Sequence, residues 1–222
     1  METEILLRQL DTYSEIYPKN LHDFNLLKEI LDKLSQVDHL NYLLDTYTDR
    51  LLPYCEEYDF LTKVELYHTP NGKLRLRLNW FLPGYANRIH HHRWDYIAKI
   101  LRGKYTQSLY GKRQEFNIQN LNMQTVCPDK ISTITQGDVY YLHHDYVHSI
   151  CADPNTLSLC LRGPAIMDKF WVMDPKLNTI WWQYGEKSET YEEKKVKSMS
   201  METLKRVKQQ LVNLLEGESY DK

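Results

Sequence analysis

The chain has 222 residues, of which 42% are hydrophobic and 26% charged, and its formal net charge is -2. This length suits one core, and we expect a single domain over residues 1–222. The mixed charges argue against a nucleic-acid-binding surface, and the apolar runs are too short and too interrupted by charge to span a membrane. The N-terminus is acidic from its third residue and lacks a signal-peptide pattern, so we expect a cytoplasmic protein.

Four cysteines, Cys55, Cys127, Cys151 and Cys160, are spread over the chain without a Cys-x-x-Cys pair. Structural zinc sites usually hold cysteines at that short spacing, so the pattern argues against one. In a reducing compartment we expect free thiols, and those that are buried are expected to serve as small apolar residues.

Residues 1–60 show the apolar spacing of helices. Three leucine-containing runs, within 6–10, 24–34 and 40–51, repeat apolar residues every three or four positions. Turn-forming residues at 17–20 separate the first two runs, and Pro53 follows the third. The sequence therefore predicts a helical N-terminal extension.

From Thr62 onward the apolar period changes to two, which is typical of strands. The segments 63–67 and 74–80 alternate apolar and polar residues on either side of Asn71-Gly72, a dipeptide that favours a hairpin turn. Further strand candidates are 94–101, 104–110, 113–118, 123–127, 130–135, 138–142, 146–151, 156–161, 169–173 and 179–183. Many short strands at this spacing predict an antiparallel sandwich or barrel over residues 61–184.

The last part of the chain returns to helical spacing. The segment 185–197 is strongly charged, and we expect a solvated linker there. A helix is predicted within 198–217, because Ser200 is a favourable N-cap and apolar residues recur on one face from Leu204 to Leu214. The fold class is thus mainly β, with helices before and after the strands.

Six of the nine histidines lie in two short clusters, His90-His91-His92 and His143-His144 with His148. In a strand, His90 and His92 project to one side and His91 to the other, so the first two can share one metal ion. His148, on a later strand candidate, can supply a third ligand. Three neutral imidazoles leave coordination positions open, as a catalytic metal requires. His143 and His144 flank a turn, and we expect loop residues there.

Two stretches carry a resemblance to a known family. The first, from Gly84 to Gly103, places a glycine, five residues, His-x-His and a second glycine at the spacing of the first cupin motif. The second, from Gly137 to His148, is similar to the second cupin motif, whose last histidine is the remaining ligand. The chain therefore resembles the cupin superfamily over about residues 60–165. This resemblance implies a cupin-type antiparallel β-barrel, or jelly roll, with a divalent metal on the three histidines.

The departures from the cupin pattern are informative. The glutamate common in the first motif is Tyr96 here, and the proline and glycine usual in the second motif are His143 and Asp145. Loss of that glutamate is shared with the thiol dioxygenases, and the chain resembles cysteine dioxygenase in particular. This likeness implies Fe(II) as cofactor and a small thiol or amino-acid-like substrate that reacts with O2.

The same resemblance singles out two further positions. The family's cross-linked cysteine falls on Tyr96, and its tyrosine partner falls near Cys160, so the pair would be interchanged in this chain. A Tyr96–Cys160 pair would then lie beside the metal. The alternative is that Tyr96 packs in the barrel and Cys160 is an ordinary core thiol.

The arginine that binds the substrate carboxylate in that family has no clear counterpart, since the corresponding region offers Lys63. Arg162 ends a strand candidate in phase with Cys160, and an inward guanidinium there would be a candidate anchor for a carboxylate. Arg75 and Arg77 alternate with leucines on one strand, and we expect them to face outward.

These residues favour a non-heme iron dioxygenase, with Tyr96, Cys160 and Arg162 as catalytic or substrate-binding candidates. No carboxylate stands two residues after His90 or His92, since Asp95 lies three residues after His92, and this argues against a 2-oxoglutarate-type site. One alternative is an isomerase or hydrolase that uses Zn, Mn or Ni as a Lewis acid, with Asp145 or His144 as base. Another is a non-catalytic cupin that binds a small ligand. The sequence leaves the oligomeric state open.

Overall fold

The computed structural model describes residues 2–16, 24–83, 88–185 and 188–217. Three α-helices come first: α1 (Glu2–Ile16), α2 (Phe24–Leu34) and α3 (Val37–Thr46). A 3-10 helix, Thr48–Tyr54, follows them and contains Pro53. This is the helical extension that the leucine spacing predicts, while the turn expected at 17–20 lies outside the described residues.

The strands form two antiparallel sheets of six. The first sheet, in spatial order, is β1 (Glu56–Glu57), β2 (Leu61–His68), β3 (Arg75–Phe81), β10 (Thr156–Arg162), β5 (Tyr96–Arg102) and β8 (Val139–Leu142). The second is β12 (Thr179–Tyr184), β11 (Lys169–Asp174), β4 (Ile89–His90), β9 (Tyr146–Ala152), β6 (Lys104–Lys112) and β7 (Lys130–Thr135). The predicted fold class is confirmed as a jelly roll of two sheets flanked by helices.

The larger apolar core lies between the first sheet and the helices. On β3, Leu76, Leu78 and Trp80 are buried on this side and join the leucines of the N-terminal helices. Alternation along the strand therefore sends the intervening residues of β3 to the opposite face. This geometry decides which side chains of the first sheet reach the space between the two sheets.

The space between the sheets is divided by polarity. At one end, both sheets contribute to an apolar cluster of Phe81, Ile100, Tyr105, Ile134 and Ile150. At the other end, the same face of the first sheet carries the polar and charged side chains described below. The space between the two sheets therefore has an apolar end and a polar end.

Two helices end the described chain, α4 (Tyr191–Lys197) and α5 (Met201–Leu215). Helix α5 begins as predicted, because the Ser200 hydroxyl accepts a hydrogen bond from the backbone N–H of Thr203. The linker expected at 185–197 is wrong over α4, where Thr190 and Glu193 form a reciprocal capping box and acidic residues precede basic ones. No helix in the described ranges is long and apolar enough to cross a membrane.

Two strand predictions, 113–118 and 123–127, are wrong. The chain there forms short 3-10 turns, Arg113–Glu115 and Met123–Thr125. Side chains stabilise the turns locally, since the Asn122 side chain accepts a hydrogen bond from the Gln124 N–H. Such local bonds compete with strand pairing, which the apolar residues of these segments do not reveal.

Leu159, on β10, has no exposed surface and lies in the core between the first sheet and the helices. We expect Leu159→Ala to lower the free energy of unfolding by about 2–5 kcal/mol, because it removes apolar contacts and leaves a cavity. Urea unfolding followed by circular dichroism measures the change. Leu177 is 68% exposed, so Leu177→Ala should cost less than about 0.5 kcal/mol. Equal losses in the two variants would contradict this placement of the core.

Glu56 ties β1 to β2 and α4. Its carboxylate lies 2.8 Å from Lys63 Nζ and 2.7 Å from Lys197 Nζ. Burial alone would raise its pKa, but the two ammonium groups hold the pKa well below the usual 4.5. The folded-state pKa is therefore below the unfolded one, so the ionised carboxylate stabilises the fold above pH 4.5 and this stabilisation is lost as the pH falls.

We expect Glu56→Gln to be less stable than the unaltered protein at pH 7, and the difference to shrink towards pH 3. Urea unfolding at a series of pH values measures it. Glu57→Gln is the matched control, because the Glu57 pair with Arg206 is more exposed. A Glu56→Gln deficit that stays constant with pH would overturn the assignment.

Candidate metal centre

Three histidines meet at the second sheet, two of them on its strands and His92 in the segment just after β4. His90 on β4 and His148 on β9 are direct partners in antiparallel register, and His92 follows two residues after His90. The ring centroids are 4.7 Å apart for His90 and His92, 4.6 Å for His90 and His148, and 4.9 Å for His92 and His148. One ring nitrogen of each lies within 4.8 Å of those of the other two. The structure thus brings the three predicted ligands together.

The spacing of the ring nitrogens suits a shared ion. Nε2 of His92 and Nε2 of His148 are 2.8 Å apart. Two nitrogens bound to one ion at about 2.1 Å, with about a right angle between them, would lie about 3.0 Å apart. Imidazole is a good ligand for iron, zinc, copper and nickel, so the donor set fits a divalent transition metal.

Their surroundings keep these histidines neutral, which is the form that binds a metal. Burial is the largest cause and lowers the pKa of His90, and it lowers the pKa of His92 and His148 well below the ordinary value. Positive neighbours act in the same direction, Lys63 on His90 and Arg77 on His92. Ring lone pairs are therefore available at neutral pH.

Contacts to the other ring nitrogens orient two of the imidazoles. His90 Nδ1 lies 3.0 Å from the carbonyl oxygen of Arg88, which can only accept, so Nδ1 carries the hydrogen and Nε2 the lone pair. The side-chain amide of Gln107 lies 3.3 Å from His148 Nδ1. The structure places the amide nitrogen at this contact, and the amide turned with its oxygen toward Nδ1 would leave Nε2 of His148 free for a metal.

His91 projects away from the other two histidines, as expected for the middle residue of the run. Its Nε2 accepts a hydrogen bond from the backbone N–H of Trp171 at 3.3 Å, and its ring packs edge-on against the Trp171 ring. Burial lowers its pKa to about 4. His91 therefore attaches the histidine segment to β11 and is not one of the three clustered histidines.

Tyr96 packs directly against the histidines. Its ring meets that of His92 at 5.0 Å between centroids and at 86° between planes. Its hydroxyl lies 3.4 Å from that of Tyr140, which in turn accepts a hydrogen bond from Tyr105. The Tyr96 phenol is thus a neighbour of the three histidines and is only 8% exposed.

Cys160 faces the same interior from β10. It pairs with Ala98 on one side and Arg77 on the other, while Tyr96 pairs with Arg162. Tyr96 and Cys160 are therefore diagonal neighbours on one face and belong to one buried cluster. Burial raises the pKa of the Cys160 thiol, although a hydrogen bond from Arg77 opposes that shift. The side chain is a buried thiol beside Tyr96.

Arg75 and Arg77 face the interior, contrary to the expectation that they point outward. The leucines between them are buried against the helices, so the arginines lie on the face that meets the second sheet. Arg77 lies 3.9 Å from Glu65, and its side chain is 14% exposed. Arg162 stacks over the Trp94 ring, with Cζ 4.3 Å from the ring centroid.

A second polar group lies at the turn between β8 and β9. Asp95 Oδ1 accepts hydrogen bonds from the backbone N–H and from Nδ1 of His144, each at 2.7 Å, and lies 4.0 Å from His143 Nε2. His143 and His144 are turn residues, as expected. The role of Asp95 in holding this turn was not predicted, and no sequence pattern signals it.

Two glycines of the motifs have positive φ angles, Gly103 at +74° and Gly137 at +92°. At Gly103 a Cβ atom would lie 2.6 Å from Thr156 Oγ1, so a side chain would require a shift. These two glycines are therefore required by the turns that precede β6 and β8, and not by the histidines. Gly84, the first glycine of the first motif, lies outside the described residues.

A cavity of about 400 Å³ opens between the edges of the two sheets formed by β7 and β8. Its wall includes Gln107, Tyr140 and His143, and none of the three clustered histidines. Gln107 separates it from His148, whose Nδ1 it contacts. The cavity is therefore adjacent to the histidine cluster but distinct from it.

No protein-family model matches the chain, and no curated protein matches it. KdgF from Halomonas sp. is similar over 50% of this chain and 86% of its own, with 19% identity and a TM-score of 0.37. An RmlC-like cupin from Shewanella frigidimarina is similar over 51% and 86%, with 17% identity and a TM-score of 0.38. Hydroxypropylphosphonic acid epoxidase from S. wedmorenis is similar over 47% and 51%, with 15% identity and a TM-score of 0.35. The assignment of the metal site therefore depends on the positions of the three histidines and not on similarity to these proteins.

We expect His92→Ala to lower the affinity for a divalent metal at least about tenfold, because it removes one of three ligands. Elemental analysis of the purified protein measures the metal bound per chain. His143→Ala is the matched control, since His143 belongs to the second polar group and is 33% exposed. If His92→Ala retained the metal and His143→Ala lost it, the metal would instead be bound by the second polar group at the turn between β8 and β9.

Proposed function

We propose that the protein is a non-heme iron dioxygenase that acts on a small thiol or amino-acid-like substrate. His90, His92 and His148 would hold Fe(II). The observation that carries the proposal is a donor set of imidazoles alone, two half-buried and one buried, with Nε2 of His92 and His148 2.8 Å apart. The choice of iron and of a thiol rests on the likeness of the two histidine motifs to those of cysteine dioxygenase.

Bound iron would supply electrons for O2 reduction and open positions for two reactants. The chain's own contribution is preorganisation. Because the backbone pairs His90 with His148, two ligands are held in place by strand register rather than by flexible loops. Desolvation by the surrounding protein lowers the pKa of both imidazoles and so favours their neutral form.

In this proposal Tyr96 would orient a bound reactant. Its ring lies against His92, and its hydroxyl has a neighbouring hydroxyl, Tyr140, 3.4 Å away. A phenol so placed can donate a hydrogen bond to an oxygen atom beside the histidines. Cys160, diagonal to Tyr96, forms part of the same wall as a buried thiol.

The alternative of Lewis-acid chemistry with Zn, Mn or Ni has less support. It needs a free general base near the metal. Of the two candidates, Asp145 accepts a hydrogen bond from Arg113 Nε at 2.6 Å. His144 faces a carboxylate with each ring nitrogen, since Nδ1 lies 2.7 Å from Asp95 and Nε2 lies 3.5 Å from Asp145. Both side chains are therefore occupied in holding the turn between β8 and β9.

Oxygen uptake by protein loaded anaerobically with Fe(II) tests the proposal. We expect one O2 to be consumed for each thiol converted to a sulfinic acid, because both oxygen atoms enter the product. Cysteine, cysteamine and 3-mercaptopropionate form the first panel, and product mass identifies the oxidised sulfur.

Zinc-loaded protein is the matched control, since zinc has no redox chemistry and should give no uptake. Tight retention of Zn, Mn or Ni with no O2 uptake by the iron form would favour the Lewis-acid alternative. If the protein bound no metal, both the dioxygenase proposal and the Lewis-acid alternative would be wrong.

A further inference from the structure

Strand register places Gln107 beside His148. On β6, Gln107 pairs with Ile150 of β9, and Leu109 pairs with His148. Alternate residues of a strand share a face, so Gln107 and His148 are diagonal neighbours on the inner face of the second sheet. The side-chain amide of Gln107 lies 3.3 Å from His148 Nδ1, and the residue is only 5% exposed. A buried polar side chain thus meets the ring nitrogen of His148 that is not directed at His92.

The two histidines on strands differ in what orients their rings. His90 Nδ1 lies 3.0 Å from the carbonyl oxygen of Arg88, and a backbone carbonyl can only accept. The group beside His148 Nδ1 is a carboxamide, which donates through its nitrogen and accepts through its oxygen. The tautomer of His148 therefore depends on which end of the Gln107 amide faces it.

The two orientations of this amide have opposite consequences for the histidines. With its nitrogen toward Nδ1 the amide donates, so the hydrogen of the neutral His148 ring lies on Nε2, which can donate it to Nε2 of His92, 2.8 Å away. With its oxygen toward Nδ1 the amide accepts, so the hydrogen lies on Nδ1 and the Nε2 lone pair is free. Only the second orientation lets His148 bind an ion through Nε2.

Gln107 also borders open space. It lines the cavity between the edges formed by β7 and β8, together with Ser132, its partner on β7. Water in a polar cavity can hydrogen-bond to either end of a carboxamide. The end that is turned away from His148 can therefore be satisfied in both orientations, and a half turn of the amide exchanges them.

We propose that Gln107 is a positioning residue of the metal centre, whose carboxamide oxygen accepts the Nδ1–H of His148 and so keeps the Nε2 lone pair available to the ion. This inference rests on the metal site of the proposed function, although not on iron or on a thiol substrate. Groups that hydrogen-bond the outer nitrogen of a histidine ligand typically contribute about 10–100-fold to metal affinity. Gln107 thus decides between a hydrogen bond that joins His148 to His92 and an ion that the two share.

The zinc affinity of two Gln107 variants, measured at pH 7 by competition with a chromophoric chelator, tests the proposal. Gln107→Met keeps the length of the side chain without the hydrogen bond, and should weaken zinc binding by about tenfold or more. Gln107→Glu can only accept at this contact, and should bind zinc at least as tightly as the unaltered protein. If Gln107 served packing alone, the order of the two variants would be reversed, because a buried carboxylate costs more than a buried thioether.

Nitrogen-15 NMR of the histidine rings gives a readout that a packing role would not move. In the zinc-loaded unaltered protein we expect His148 to carry its hydrogen on Nδ1, and this hydrogen should exchange with water more slowly than in Gln107→Met. Circular dichroism checks that each variant is folded. Gln183→Met is the matched control, because Gln183 is exposed on the edge strand β12 and its substitution should change the zinc affinity by less than about twofold.

Equal zinc affinity in Gln107→Met and the unaltered protein, or tighter binding by Gln107→Met than by Gln107→Glu, would overturn the positioning role while leaving the metal site intact. Binding of zinc through Nδ1 of His148 would overturn it as well, and that result needs only the unaltered protein. Failure of the proposed function looks different, because the iron form would then consume no O2 while the order of the zinc affinities was kept. A protein that bound no zinc would contradict both.

Discussion

The backbone pairing of His90 with His148 is the constraint on which the site depends. Direct partners in an antiparallel ladder have side chains on the same face and a few ångströms apart. Two imidazoles are therefore brought together by the same hydrogen bonds that build the second sheet. His92 joins them because it lies two residues beyond His90, and Tyr96 reaches the group from the first sheet. Strand register therefore places His90 and His148 together, and the segment directly after β4 brings His92 to them.

The helical layer has a less direct effect on the same site. It covers the face of the first sheet on which Leu76, Leu78 and Trp80 lie. That face would otherwise be the solvent side of a two-sheet fold, and the charged residues of β3 would be expected there. Because helices bury it, the arginines on the alternate positions lie between the sheets, where charge is costly unless a partner meets it. The polar end of the interior follows from this arrangement.

The sequence predicts the site better than it predicts the surroundings of the site. The two motifs are enough to predict that His90, His92 and His148 lie together, although the strand expected to carry His90 and His92 ends at His90. The two-residue period of a strand cannot say which face of β3 meets water, so Arg77 was expected outside and lies inside. Helix α4 was missed although the Thr190 and Glu193 capping box is visible in the sequence, because its many charges suggested a linker. The Asp95 contact depends on the path of a distant turn, which no local pattern contains.

Strand β4 has only two residues, yet it joins the outer strands β11 and β12 to the rest of the second sheet. Ile89 and His90 pair with Met173 and Val172 on one side, and His90 pairs with His148 on the other. So short a strand offers few backbone bonds, and local opening of a sheet begins where such bonds are fewest. An ion bound by both His90 and His148 would link β4 to β9 and stabilise this short strand. Loss of the ion would then favour the opening of β4 and β11, and the amide hydrogens of these strands would exchange with water faster.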